Sequence, residues 1–269
     1  MAINILLNSI LVSLREHNVI GKESTDSIFE IGEQNWYGDI KLNYFEYLID
    51  KFVITQEREE LLRNYELIKN ESKENIETSL NITKFYYKII FNYKIYRAID
   101  MHGTKFSIKK DLNEPYLEDN KYKLVTNFGT TEHIFNQYQV FKTIHNLVKP
   151  NGLIMHFLPY QGAYNHGFYN YHPTFFFDLG KVNNYEIIGL WAATIIDKFP
   201  KIFNIHNVDE YNLFLKEKTH PKECYIFTLF KNKNNLTKEF ISPQQGVYFD
   251  DNFSNESKDL WDKYKTPNS

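Results

Sequence analysis

The chain has 269 residues, 31 of them basic and 34 acidic, for a net charge of -3. That balance supplies no strong positive field for a nucleic-acid backbone, so nucleic acid is not an expected partner. Hydrophobic residues make up 42%, enough to bury a core, which excludes global disorder. In chain order, the first stretch places Ile5, Leu6, Ser9, Ile10 and Leu14 near helical spacing, with Asn4, Asn8 and Ser13 interrupting the apolar run. This predicts an amphipathic helix packed on the domain. It lacks the early positive charges and small-residue cleavage site of a signal peptide. No stretch approaches the roughly 20 apolar residues of a membrane span, so no membrane partner is expected.

"SIFEIG", residues 27–32, predicts a buried strand that leaves into a loop. From about 42 to 93 the chain is rich in Glu, Lys, Leu, Ile and Tyr and holds neither Pro nor Gly, which predicts two or three helices. "YKIYRAIDMHG" is the next strand, with Asp100 at its exit. "KFSIKKDLNEPY" is a shorter third strand followed by Asp111, and "KYKLVTNFG" a fourth that stops at Asn127. "TEHIFNQYQVFKTIHNLV" then places Ile134, Tyr138, Phe141, Ile144 and Leu147 on one helical face. "KPNG" signals a turn and "LIMHFLP" a fifth strand. "YHPTFFFDLGKVNNY" opens a helix, and "YEIIGLWAATI" and "KECYIFTLFKN" are strands six and seven. The tail from Lys238 is polar and is expected to wrap the surface or stay mobile. The single cysteine, Cys224, falls in the last apolar strand and reads as an inert core thiol. With no disulfide available, a reducing, cytoplasmic setting is the expectation.

Strands alternating with helices predict an α/β fold with a mostly parallel sheet covered on both faces. In such sheets ligands sit outside the carboxyl ends of the strands. Asp100, after the second strand, can accept two hydrogen bonds from the adjacent hydroxyls of a ribose, and it equally suits a turn or helix cap. Asp111, after the third, reads either as an acceptor for the exocyclic amine of adenine or as a turn residue in "DLNEP".

This order of motifs resembles the class I S-adenosylmethionine-dependent methyltransferases over about residues 27–232, with the segment after the first strand set aside. "IFEIG" stands where that family's first motif begins, "RAIDMHG" looks like the second, "IKKDLNEP" the third and "KLVTNFGTTEHIFN" the fourth. "LVKPNGLIMHFLP" is similar to the family's "L-K-P-G-G" element, with Asn151 in place of the first glycine. The resemblance implies a Rossmann-like seven-stranded sheet with an antiparallel ending. It implies a domain over 1–237 with a helical insertion at about 42–93, a polar tail at 238–269, and S-adenosyl-L-methionine as cofactor. It also implies that Glu30, Gly32 and Gln34 line the methionine end, Asp100 and Met101 the ribose, and Asp111 with Leu112 the adenine. Asn127, Phe128 and Gly129 would face the reactive end through their backbone. One departure stands out: the family's "G-x-G-x-G" reads "GEQNWYG" here, so Gln34 and Trp36 replace residues that let a backbone approach its ligand closely.

On the acceptor side, His133 follows the fourth strand, and an imidazole titrates where a hydroxyl's proton can be received. It also suits a polar first-turn position. Glu132 could orient His133 or act itself. His166 lies in the loop "PYQGAYNHGFYNYH", whose Tyr164, Tyr169 and Tyr171 could stack on a sugar or aromatic ring or simply pack. His156, His166, His172 and Asp178 match no metal-ligand spacing, so no metal is expected. The expected activity is O-methylation of a small molecule, a saccharide or a biosynthetic intermediate. The alternative, favoured by the altered glycine loop, is a non-catalytic methyltransferase-like domain for binding or assembly. The 42–93 segment is a candidate cover for the cofactor or a homodimer surface.

Overall fold

The computed structural model describes residues 2–21, 25–70, 76–205, 223–235 and 238–245. Of the polar tail, everything beyond residue 245 lies outside the described residues. The fold is α/β, with a seven-stranded sheet and helices around it. The chain divides into two compact units, Met1–Asp111 and Leu112–Ser269. Among the described residues, no helix is long and apolar enough to cross a membrane.

In the first unit, α1 spans Ile5–Glu16. Asn4 starts it, its side chain accepting a hydrogen bond from Leu7 N at 2.9 Å, and Leu6, Leu7, Ile10, Leu11 and Leu14 form the buried stripe. The two-residue strands β1 (Ala2–Ile3) and β3 (Asn35–Trp36) pair in parallel. β2 (Asp26–Ile31) pairs in parallel with β4 (Tyr93–Ile99), matching Glu30 with Ala98 and Ile31 with Ile99. Between them run three helices, α2 (Tyr44–Phe52), α3 (Thr55–Asn70) and α4 (Ile76–Phe91). Their core is aromatic. Trp36 meets Phe45 with ring centroids 5.0 Å apart and Tyr86 at 5.3 Å, and Phe45 also contacts Tyr65 and Phe85.

The second unit contributes β5 (Tyr122–Phe128), β6 (Val148–Gln161), β7 (Tyr185–Ile196), β8 (Phe199–Asn204) and β9 (Cys224–Asn232), in the order β5-β6-β9-β7-β8. β5 and β6 are parallel, and the remaining pairs are antiparallel. Helices α5 (Gln137–Leu147) and α6 (Pro173–Val182) complete the unit, α6 opening on Pro173, whose ring suits a first helical turn. Cys224 is buried in β9, and burial pushes its thiol up to about 12.

Four details differ from the sequence reading. "KFSIKKDLNEPY" is not a strand: Ile108 forms only an isolated bridge with Ile99, because Phe106, Lys109 and Lys110 around it are exposed and offer no buried face. The sheet reaches seven strands through β8, which the sequence did not signal and which returns from β7 through Asp197 and Lys198, both in the left-handed region at φ 51° and 71°. "KPNG" is not a free turn but a bulge inside β6. The partners of Tyr122 and Leu124 are Val148 and Leu153, so Lys149–Gly152 are accommodated with Asn151 at φ 56°. Finally, the helix begins at Gln137 rather than Thr131. Tyr138 therefore lies in a first turn and is half-exposed, while Val140, Phe141, Ile144 and Leu147 are buried.

Candidate functional site

In the first unit, the exits of β2 and β4 carry Glu30, Gly32, Glu33, Gln34, Asp100 and Met101. Glu30 is fully buried. Its carboxylate accepts from the Tyr87 hydroxyl at 2.7 Å, from the Tyr96 hydroxyl, and from Gln34 N at 3.1 Å. Burial outweighs these bonds and pushes the Glu30 carboxyl up to about 7. Gly32 takes φ 78°, which turns the chain at the end of β2. Gln34 is buried and its Nε2 donates to Gly32 O at 3.0 Å, but its Oε1 has no hydrogen bond.

Asp100 holds the two loops in place. One of its oxygens accepts from Glu33 N at 2.9 Å and the other from His102 N at 2.7 Å. Glu33 is buried against Lys84 Nζ at 2.7 Å and accepts from Thr104 N at 2.7 Å and Thr104 Oγ1 at 3.0 Å. Gly103 has to be small, since a Cβ there would stand 2.7 Å from Glu33 Oε2. Met101 is half-exposed and Asp111 partly exposed. Trp36 packs into the aromatic core, with Nε1 donating to Ile40 O at 3.3 Å.

In the second unit, Leu112 is buried. Asn127, at the end of β5, is fully buried. Its Nδ2 donates to Thr131 Oγ1 at 2.9 Å and lies 3.0 Å from His156 Nδ1, while its Oδ1 accepts from Thr131 N at 3.3 Å. His156 Nδ1 is thus an acceptor, and burial holds this imidazole neutral, down to about 3. The Phe128 ring is buried near Phe227, and Gly129 takes φ 73°.

That turn leads to a short 3-10 helix, Thr131–His133, where Glu132, His133 and His166 come together. Glu132 is 0% exposed, and neither of its carboxylate oxygens makes a hydrogen bond. His166 Nε2 stands 3.4 Å from Glu132 Oε1 and His133 Nε2 3.8 Å from it, ion-pair distances, with both imidazoles partly open to solvent. The two rings lie 5.1 Å apart. Burial lowers His133, whereas the neighbouring Glu132 carboxylate raises His166. The loop bearing His166 is drawn onto Glu132 by its main chain: Glu132 O accepts from Phe168 N at 2.8 Å and Tyr169 N at 3.3 Å. Tyr171 is buried rather than presented to a ligand, its hydroxyl 2.7 Å from Gln137 Oε1 and 3.0 Å from Thr131 Oγ1, whereas Tyr164 is 90% exposed. Of the four residues tested for metal spacing, His156 is a core residue. His166 finds its partners at positions 132 and 133, a separation that no local motif registers.

No protein-family model matches the chain, and no curated protein matches it. Among solved structures it is similar to the N-methyltransferase NodS from Bradyrhizobium japonicum WM9, at 9% identity over 84% of this chain and 94% of that one, with a TM-score of 0.43. It is similar to coclaurine N-methyltransferase bound to N-methylheliamine and SAH, at 11% identity over 84% of this chain and 73% of that one, with a TM-score of 0.42. A segment of StiE O-MT matches at 10% identity over 96% of this chain and 77% of that one, with a TM-score of 0.39. The names of these three solved structures describe N- and O-methyltransferases.

Proposed function

We propose that this chain is an S-adenosyl-L-methionine-dependent methyltransferase that methylates a hydroxyl of a small molecule, a saccharide or a biosynthetic intermediate. The observation that carries the reading is the cluster after β5: a buried carboxylate without hydrogen bonds and two imidazoles within ion-pair distance of it. Such a group is suited to receive an acceptor hydroxyl and draw off its proton. When bound, the cofactor supplies an electrophilic methyl group, so the protein's task is to align the acceptor, with reacting atoms about 3 Å apart, and to deprotonate it.

The residues after β2 and β4 fit an adenosyl ribose. Each Asp100 oxygen accepts one main-chain N–H and keeps a lone pair for a hydroxyl, and the side chain is only partly buried. Gln34 Oε1 is an acceptor that the protein leaves unfilled, suited to an ammonium group. Glu30 has a different part, since Tyr87, Tyr96 and Gln34 N already occupy its carboxylate. It shapes the loop rather than touching a ligand.

Calorimetric titration of the full chain with S-adenosylhomocysteine tests this reading. Saturable binding that weakens by about tenfold or more in Asp100→Ala supports it. No binding at millimolar ligand overturns it, leaving a methyltransferase-like binding or assembly domain, for which the saturated contacts of Glu30 and Glu33 would be the structural reason.

A further inference from the structure

We propose that Glu132, His133 and His166 bind a divalent transition-metal ion of the zinc class. Each offers one ligand atom, and these atoms all lie within 4.8 Å of one another. Two ligands about 2.1 Å from a tetrahedral ion stand roughly 3.4 Å apart. The 3.4 Å and 3.8 Å from Glu132 Oε1 to the two Nε2 atoms are close to that spacing. Rotation of the two partly open imidazoles closes the remainder.

The carboxylate is the stronger observation. A fully buried charge is costly unless it is paired or coordinates a metal. Among the described residues, the only ion-pair partners of Glu132 are the two imidazoles, and no hydrogen bond reaches either of its oxygens. The surroundings are built to keep it in place. Gly167 permits the close approach of the loop, because a Cβ there would meet Glu132 O at 2.9 Å and Glu132 Cγ at 3.0 Å. On the other side, Gln137 Nε2 donates to Thr131 O at 2.8 Å, and Tyr171 anchors on Gln137. Three fixed ligands with solvent-facing imidazoles leave positions open for an exogenous oxygen, the arrangement of a catalytic rather than a structural ion. Two nitrogens and one oxygen suit zinc, cobalt, iron or manganese better than magnesium or calcium, which take oxygen shells. An acceptor hydroxyl ligated there would release its proton to solvent more readily. This last role rests on the methyltransferase reading, whereas the ion site does not.

The test is titration of the chelator-treated full chain with Zn2+ by calorimetry and with Co2+ by visible absorption. One ion per chain is expected, with d–d bands showing nitrogen and oxygen ligation. His133→Ala, His166→Ala and the isosteric Glu132→Gln should each weaken binding by about 100-fold or more. Both imidazoles are partly exposed, so the alanine variants should fold, which circular dichroism checks. Absence of saturable binding overturns the site, and so does affinity unchanged in both histidine variants. The S-adenosylhomocysteine titration separates the two proposals. S-adenosylhomocysteine binding without metal binding removes only the ion, and metal binding without it removes only the methyltransferase reading.

Discussion

The loops after β2 and β4 and the turn after β5 both carry buried acidic residues, and they treat them in opposite ways. Glu30 and Glu33 are surrounded by donors: two tyrosine hydroxyls, Lys84, Thr104 and main-chain N–H groups. Glu132 is buried as deeply, and no hydrogen bond reaches either oxygen of its carboxylate. A saturated polar network fixes a conformation, while an unsaturated buried carboxylate is an exception that asks for a missing partner. On the proposed reading, the difference separates a group that holds the fold from one held ready for a ligand.

Substitutions should expose this contrast. The largest effect is expected from Glu30→Ala, which strands the Tyr87 and Tyr96 hydroxyls and Gln34 N and should cost about 3 kcal/mol or more, read from the urea midpoint. A loss below about 1 kcal/mol would show that water replaces the carboxylate and that the network is not structural.

The pH dependence comes next. Glu30 binds its proton more tightly folded, at about 7, than at its ordinary 4.5. Its stabilising contribution is therefore complete below pH 4.5 and falls by about 3 kcal/mol as pH rises through 7. His156, lowered from 6.5 to about 3, has the reverse sign: its contribution is complete above pH 6.5 and is lost as pH falls toward 3. Between pH 4.5 and 6.5 the two slopes oppose. Glu30→Gln should therefore show stability climbing with pH across that window, and His156→Gln should show it declining. Parallel profiles in the two variants would contradict these assignments.

A smaller effect of the opposite sign is expected at the second carboxylate. Without metal, Glu132→Gln should raise stability by about 1 kcal/mol, since it removes a buried charge whose only ion-pair partners among the described residues are two partly exposed imidazoles. A destabilisation instead would mean that the imidazoles already satisfy Glu132. The mildest change is Gly167→Ala, whose Cβ must push the loop away from Glu132. It should loosen Zn2+ binding about tenfold and lower stability by no more than about 1 kcal/mol, since the loop has to yield to main-chain Glu132 O.

The strands and helices with strong periodicity were legible in the sequence. What escaped is local in origin. β8 reads poorly because "FPKIFN" contains Pro and Lys and lies mostly exposed, and its hairpin turn uses Asp197-Lys198 where left-handed turns favour Asn and Gly. The third expected strand had one apolar anchor, Ile108, and one residue cannot define a face. At the site, Glu132 and His133 were legible as residues after a strand. Their relation to His166 was not, because it depends on main-chain bonds from Phe168 and Tyr169 and on the missing side chain at Gly167. Likewise nothing in the spelling of "FEIGEQ" tells that Glu30 is claimed by tyrosines 57 and 66 positions away.

The helices between β2 and β4 look, by position, like an ornament that could be trimmed. Trp36 and Glu30 make that impractical. Excising α2 and α4 would remove Phe45, Tyr86 and Tyr87, laying bare an indole and depriving a sequestered acid of one of its two phenol donors. Any shortened version of this protein would have to replace both residues at once, so the helical segment and the strand it follows must be inherited, grafted or lost together.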